Sequence, residues 1–259
     1  MSINDLKICL VLLAITLSGC ETVGQNNGRG NSSIYNETAL AARARAHTDL
    51  GAAYLQQSKY EIALSEFNEA TQIDPTYALA YSGLGLVYST LGEDAKADAS
   101  FKKSLELQPN NSESHNNYGT FLCGRKRYDE SISHFLTAVK NPLYGTPYLA
   151  YANAGICAMR KNDLKNAEVY LNKALQIEPL THSAALPLAE LQFNRGEVTT
   201  AQKTLQNALI SNPNAETLWL GVKIGRALGD KDSIASYALQ LRQQYPDSEQ
   251  TRLLLSGKK

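Results

Sequence analysis

The sequence predicts an all-α protein built as a solenoid of six helix hairpins, and three observations support that fold class. A pattern of small and apolar residues repeats at an interval of 34 residues between His47 and Pro109. One small residue recurs in each unit, and only the step from the third unit to the fourth is longer, by two residues. Prolines, which cannot continue a helix interior, close five of the units. The recurring small residues are Ala63, Ala97, Ser131, Ala167, Ala201 and Ala235, and the prolines are Pro75, Pro109, Pro179, Pro213 and Pro246.

Each unit is expected to contain two antiparallel helices, A and B. A second small residue, at the eighth position, is expected where the two backbones approach closely. This spacing resembles the tetratricopeptide repeat. The resemblance implies a six-repeat tetratricopeptide-repeat α-solenoid, a right-handed superhelix with a concave groove. The residues at the eighth position are Gly51, Gly85, Gly119, Gly155 and Ala189.

The first 19 residues are predicted to be a lipoprotein signal peptide. An apolar run, Ile8 to Leu17, follows Lys7 and is far shorter than the ~20 residues of a membrane-spanning helix. The run ends in Leu-Ser-Gly-Cys, which matches the bacterial lipobox, so Cys20 is the expected lipidation site. The alternative is an ordinary cleaved signal with a chance cysteine. Glu21, rather than an aspartate after the cysteine, suggests sorting to the periplasmic face of the outer membrane.

Residues 20–37 are predicted to form the lipidated N-terminus and a flexible tether, because they are rich in glycine, asparagine and serine. Asn36 is a plausible N-cap of the first helix. The repeat domain is expected to occupy residues 38–259. A short helix capped by Ser248 is expected to close it, with Leu253, Leu254 and Leu255 covering the last repeat.

Composition argues against several functional classes. The chain has 25 basic and 25 acidic residues, and it contains no basic stripe of the kind that nucleic acid requires. The four histidines have no metal-ligand spacing, and His47 and His115 occupy a position that other repeats fill with an aromatic residue. No phosphate-binding loop, nucleophile elbow or HExxH helix is present. We therefore expect no enzyme activity, no cofactor, no metal and no small-molecule substrate.

Two cysteines remain after the signal peptide and the lipid site. Cys123 and Cys157 fall on the A helices of repeats three and four, which should pack side by side. An oxidising compartment favours a disulfide between them, worth ~3–4 kcal/mol in the chain-entropy model. The alternative is two small buried thiols.

Function is then expected to come from the groove, which helix A lines at its second, fifth, ninth and twelfth positions. Half of these residues are apolar and few are charged. Thr48 and Ala52 do not fit the basic clamp with which related repeats hold a C-terminal carboxylate, so a hydrophobic or amphipathic peptide is the expected ligand. The alternative is that some of these side chains only pack between repeats. The predicted binding residues are Leu55, Leu79, Leu86, Leu149, Ile156, Met159, Leu186, Phe193 and Leu220.

Three segments carry a more specific resemblance than the repeat itself. They are residues 116–123 (NNYGTFLC), 141–144 (NPLY) and 153–157 (NAGIC). Together with the lipobox, they resemble the type IV pilus biogenesis and stability lipoproteins, the pilotins of the pilus secretin. Lys223 and Arg226 depart from that pattern in the sixth repeat, where small and apolar residues are usual.

The resemblance implies a non-catalytic outer-membrane lipoprotein that binds the secretin subunit. It also implies that this binding promotes the targeting and multimerisation of the secretin. The N-terminal end of the groove, around Leu55, Leu79 and Leu86, is the expected site. The alternative is a general periplasmic scaffold for outer-membrane protein insertion or for cell-wall enzymes.

Overall fold

The computed structural model describes residues 29–257, and side chains from residue 39 onward. Within that part of the chain there are thirteen α-helices and no strand. Residues 39–257 belong to one compact unit. The helices are α1 Arg29–Gln56, α2 Tyr60–Ile73, α3 Ala78–Thr90, α4 Asp94–Leu107, α5 Ser112–Gly124, α6 Tyr128–Ala138, α7 Pro147–Arg160, α8 Leu164–Ile177, α9 His182–Asn194, α10 Val198–Ser211, α11 Ala215–Leu228, α12 Lys231–Gln244 and α13 Glu249–Leu255.

The helices alternate between the two kinds expected of a tetratricopeptide-repeat solenoid, which confirms the predicted fold class. Helices α3, α5, α7, α9 and α11 each pack against the B helix that follows them, and each contacts the next A helix along the chain. Each B helix from α2 to α10 also contacts the A helix of the next repeat. The A helices therefore form one continuous layer of the solenoid and the B helices form the other.

The core of five of the six repeats is a contact between a glycine of helix A and a large side chain of helix B. A Cβ atom built on Gly51 would lie 3.0 Å from the Phe67 ring. The same construction on Gly85 places the atom 2.8 Å from the Phe101 ring, and Phe67 and Phe101 are at most 1% exposed. The aromatic ring thus occupies the volume that any larger residue at the eighth position would need. Repeats three and four repeat the contact with the pairs Gly119–Phe135 and Gly155–Leu171.

The sixth repeat keeps this contact but in a different register. Its glycine is Gly221, whose added Cβ would meet the Tyr237 ring at 2.7 Å. Lys223 occupies the position that a strict repeat would assign to the small residue. Ala235, the small residue that the repeat pattern gives for the sixth unit, is exposed on α12, whereas Ala238 and Leu241 are buried.

The end of the solenoid is closed by α13, as the sequence predicted. Ser248 caps this helix by accepting a hydrogen bond from the backbone N–H of Thr251, at 3.1 Å. The Thr251 hydroxyl in turn donates to backbone carbonyls of α12 and of the turn after it. Leu254 packs on the core of the sixth repeat, whereas Leu255 is 69% exposed and does not cover it.

The start of the first helix differs from the prediction. Helix α1 begins at Arg29, so Asn36 lies inside the helix and does not cap it. No proline interrupts the helix, and its alanine-rich middle favours helix strongly, so helical structure extends into the residues assigned to the tether. The signal peptide, Cys20 and the tether up to residue 28 lie outside the described residues.

Ion pairs connect neighbouring repeats along the edge formed by the turns between helices A and B. A cation at the fourteenth position of one repeat contacts an acid at the start of the preceding B helix. Arg125 pairs with Asp94 at 2.6 Å, and Lys161 pairs with Asp129 in the same way. Arg195 and Glu168 make the third such pair. In repeat two the fourteenth residue is Leu91, which is 48% exposed.

The glycine contacts give a stability prediction. Replacing Gly83 with alanine places a methyl group where an ideal Cβ lies 2.1 Å from the Phe67 ring. Because Phe67 is buried in the core, the clash forces repacking, and we expect Gly83→Ala to lower the free energy of unfolding by about 1–3 kcal/mol. Urea denaturation of the two proteins measures the difference.

The matched control is Gly124→Ala in α5, where an added Cβ meets nothing within 4 Å. This variant is expected to keep or raise stability by up to ~1 kcal/mol, because alanine has the higher helix propensity. Equal stability of Gly83→Ala and the wild-type protein contradicts the packing argument.

Candidate functional site

The N-terminal end of the A-helix layer contains a concavity of about 340 Å³. Leu55 of α1 lies in its wall together with Leu79 and Leu86 of α3, and all three side chains are half-buried. The structure thus brings together the three leucines that the sequence placed at this end of the groove. The other lining residues are Thr48, Asp49, Ala52, Gln56, Phe67, Ser82, Gly83, Glu113 and Asn117.

The polar groups on the floor of this concavity are hydrogen-bonded within the protein. The Thr48 hydroxyl donates to the Ala44 carbonyl at 2.8 Å, and the Asn117 amide donates to the Ser82 hydroxyl at 3.3 Å. The charged residues, Asp49 and Glu113, are exposed and both acidic. The concavity therefore offers apolar side chains and an acidic rim.

The next A helices carry further groove residues. Leu149, Ile156 and Met159 of α7 are half-buried, and Met159 also packs on the core beneath it. Asparagines connect this helix to α5, because the Asn153 amide donates to the side-chain oxygen of Asn116 at 3.0 Å. Both asparagines lie in the segments that resemble the pilus lipoproteins, but the sequence does not pair them, because the contact depends on the relative position of two helices.

Two predicted groove residues are not on an open surface. Leu186 is 6% exposed and Leu220 is 1% exposed, and both belong to one core cluster built from α9, α10 and α11. The predicted placement of both is wrong. The change of register in the sixth repeat explains why Leu220 is buried. The glycine that faces helix B is Gly221, two positions earlier than a strict repeat would place it. The neighbouring side chains of α11 therefore point in other directions. Leu186 packs against that repositioned helix. Phe193, which lies between these two in the predicted set, is half-buried.

Cys123 of α5 and Cys157 of α7 are joined across the A-helix layer. Their Cα atoms lie 5.8 Å apart and their sulfur atoms are bonded. Both side chains are buried, and the Arg160 guanidinium lies 3.9 Å from the Cys123 sulfur. The bond connects the same two repeats as the pair Asn116–Asn153.

A pair of histidines lies between α5 and α6. Nδ1 of His115 and Nδ1 of His134 are 2.7 Å apart, and Nε2 of His115 lies 2.9 Å from the Pro109 carbonyl. A carbonyl only accepts, so Nε2 of His115 carries the hydrogen, and its Nδ1 must then accept from Nδ1–H of His134. Burial lowers the pKa of both imidazoles, and the neighbouring His115 helps to lower that of His134 to about 4.

A second polar network connects repeats two and three beside these histidines. The Asp98 carboxylate accepts hydrogen bonds from the Tyr118 hydroxyl and from Arg127, both at 2.7 Å, and it pairs with Lys102. Burial alone raises the pKa of Asp98, but the hydrogen bonds from these three partners outweigh it and lower the pKa to about 2. Burial and the adjacent Asp98 raise the pKa of Tyr118 to about 12. These groups support packing between repeats and do not face the N-terminal concavity.

Two further observations concern the described residues as a whole. Between residues 29 and 257, no cluster of three or more histidine, cysteine, aspartate or glutamate side chains has a geometry that could hold a metal ion. The helices in this same part of the chain are all too short or too polar to cross a lipid bilayer.

Comparison with known proteins identifies the repeats directly. Family models described as "TPR repeat" or "Tetratricopeptide repeat" match residues 51–92, 78–111, 100–133 and 158–223. Over 238 residues the chain is 32% identical to "Type IV pilus assembly protein PilF" of Pseudomonas aeruginosa, and the match covers 92% of each chain.

Two solved structures are similar over nearly their whole length. One is the crystal structure of PilW, described as a widely conserved type IV pilus biogenesis factor, with 32% identity and a TM-score of 0.72. The match covers 82% of this chain and 98% of PilW. The other is PilF of Pseudomonas aeruginosa, with 30% identity, a TM-score of 0.75, and coverage of 85% of this chain and 100% of that one.

The cysteine geometry gives a prediction about redox state. We expect thiol titration of the unfolded, non-reduced mature protein to find no free thiol from Cys123 or Cys157. Reduction is expected to lower the free energy of unfolding by about 3–4 kcal/mol, because the bond restricts the conformations of the unfolded chain and its loss raises the entropy of that state. A variant carrying both Cys123→Ala and Cys157→Ala should not respond to the reductant. Two free thiols in the untreated protein contradict the prediction.

The histidine pair gives a prediction about pH. Between pH 6.5 and about 4 the unfolded chain binds a proton at His134 while the folded chain does not, so stability falls as the pH is lowered through that window. Because the ring is only half-buried, we expect a loss of about 1–2 kcal/mol. His134→Gln, whose amide can still donate to His115, should flatten this part of the stability curve.

Glu130, Arg127 and Lys140 are the charged groups around the pair, and they stay in place in the His134→Gln variant. His47→Gln is the matched control, since His47 contacts Glu66 and not a second imidazole. Urea denaturation at a series of pH values makes the measurement. An unchanged curve for His134→Gln contradicts the assignment.

Proposed function

We propose that this chain, which belongs to the family of type IV pilus tetratricopeptide-repeat proteins that includes PilF and PilW, is an outer-membrane pilotin of the pilus secretin. In this role it binds the secretin subunit, and binding promotes the targeting and multimerisation of the secretin in the outer membrane. The observation that carries the proposal is the leucine-lined N-terminal concavity, on a chain that matches pilus proteins over nearly its full length.

The proposed site takes an amphipathic segment of the secretin. Leu55, Leu79 and Leu86 offer half-buried apolar surface to its apolar side chains. The acidic rim of Asp49 and Glu113 favours a lysine or arginine on the same segment, because opposite charges steer association and fix the register of a bound peptide. This recognition is a binding event and involves no chemical step.

The proposed anchor is a lipid on Cys20. The lipobox and the preceding apolar run support it, and Cys20 precedes the first described residue, Arg29, by nine positions. Each buried methylene contributes ~0.8 kcal/mol, so several acyl chains hold a protein on a membrane for far longer than binding and release of a partner take. Anchoring and groove binding together place the bound secretin at the outer membrane.

Complementation of a deletion strain tests the groove. Leu79→Asp puts a charge into the concavity next to the acidic rim, and we expect it to reduce secretin multimers at least ~10-fold, since desolvating an unpaired carboxylate costs several kcal/mol. Multimers resistant to detergent are measured by immunoblotting of outer-membrane fractions. The matched control is Ile210→Asp on α10, which is 67% exposed and lies in the B-helix layer.

Cys20→Ala in the same strain separates the anchor from the groove. This variant should lose label from a radioactive fatty acid and leave secretin multimers outside the outer membrane, while the purified protein still captures the secretin. Normal multimers in the outer membrane of the deletion strain contradict the proposal. Capture of the insertion machinery or of cell-wall hydrolases in place of the secretin supports the scaffold function instead.

A further inference from the structure

The edge formed by the turns between helices A and B contains a cavity of about 430 Å³ at the junction of repeats one and two. This volume lies within the range of ~300–1,000 Å³ typical of ligand pockets. The cavity lies between the residue that follows α3 and the turn that leads into α2. The lining residues are Ser58, Lys59, Tyr60, Glu61, Ile62 and Leu91.

This cavity occupies the place of an ion pair that later junctions contain. Between repeats three and four, Asp129 of α6 pairs with Lys161, the fourteenth residue of repeat four. Glu61 has the same position in repeat one as Asp129 has in repeat three, two residues before the recurring small residue. The fourteenth residue of repeat two is Leu91, so the cation that would pair with Glu61 is missing.

The lysine beside the cavity does not supply that cation. The Lys59 ammonium lies 5.6 Å from the centre of the Tyr54 ring, and within residues 39–257 it forms no ion pair with Glu61. Repeat three has Arg127 at the position of Lys59, and there Asp129 still pairs with a cation of the next repeat. Glu61 is exposed, so its carboxylate is an accessible acid at the cavity.

The charges at the start of α4 are committed to other partners. Lys96 pairs with Glu93 at 3.3 Å, and Asp94 pairs with Arg125 of repeat three at 2.6 Å. A cation that approaches from outside therefore meets Glu61 as the unpaired acid of the cavity.

Apolar side chains surround this acid. Leu91 is 48% exposed and Ile62 is 43% exposed. Both line the cavity with Glu61, so the surface combines one negative charge with two accessible aliphatic groups. A ligand that matches it carries a positive charge next to an apolar group.

We propose that this cavity binds a basic peptide segment of a partner protein, in which an arginine is followed by large apolar residues. The arginine pairs with Glu61, and an apolar side chain packs on Leu91 and Ile62. An exposed ion pair is weak by itself, so the apolar contact supplies most of the affinity and the charge supplies the specificity. The inference does not depend on the proposed pilotin function, because none of these residues lines the N-terminal concavity.

Fluorescence anisotropy with the full chain purified in detergent tests the proposal. The probe is a fluorescein-labelled heptapeptide, Gly-Ser-Arg-Leu-Leu-Ser-Gly, compared with the same peptide carrying glutamate in place of arginine. We expect the arginine peptide to bind with a Kd below about 500 µM at low salt. Binding should weaken about 2-fold or more at 0.5 M salt, where the Debye length is ~4 Å. The glutamate peptide should bind at least ~5-fold more weakly, because its carboxylate faces Glu61.

Variants assign the binding to the cavity. Leu91→Arg supplies the missing cation within the chain, and we expect it to weaken binding of the arginine peptide at least ~5-fold. Glu61→Lys should reverse the preference, so that the glutamate peptide binds more tightly than the arginine peptide. The matched control is Asp129→Asn, which removes the corresponding acid from a junction where it is already paired, and it should leave binding unchanged.

Leu79→Asp separates this site from the N-terminal concavity. We expect this variant to bind the arginine peptide as the wild-type protein does. Binding that is lost in Leu79→Asp and kept in Leu91→Arg places the peptide in the concavity and overturns the inference. Equal binding of the two peptides, or no detectable binding at about 2 mM peptide, overturns it as well. Circular dichroism of each variant confirms that its helices are intact before binding is compared.

Discussion

The contact between a glycine of helix A and a large side chain of helix B is the constraint on which the rest of the solenoid depends. The two residues are sixteen positions apart in five of the six repeats, as in Gly85 and Phe101. With the ring in that place the helices cannot rotate against each other without a clash. The face of helix A that meets helix B is thereby fixed, and so is the opposite face, which supplies the groove.

This constraint explains why the two ends of the A-helix layer differ. In repeats one to four the glycine keeps its position, and Leu55, Leu79, Leu86 and Ile156 remain half-buried on the predicted surface. In repeat six the glycine is two positions earlier, and the rotation of α11 buries Leu220 in the core.

Most of the fold can be predicted from the sequence, because the 34-residue period marks both the helix pairs and the residues at which the two helices of a pair meet. Prediction from the sequence is wrong where the repeat pattern is weak. Nothing in the pattern marks the register of α12 or the start of α1 at Arg29, and the placement of Leu186 depends on how α11 packs against α9. The histidine pair could not be foreseen either, since sequence spacing places His115 and His134 on two helices without specifying that their rings meet.

The ion pairs along the turn edge have a consequence for how such a chain is extended or shortened. Repeats three and four each present a cation towards the unit before and an acid towards the unit after, as Lys161 and Glu168 do in repeat four. The interface between these neighbouring repeats is therefore head-to-tail, with a cation of one repeat meeting an acid of the repeat before it. Either of these two repeats can be duplicated or deleted and the new neighbours still meet with opposite charges, whereas Leu91, at the same position of repeat two, is uncharged.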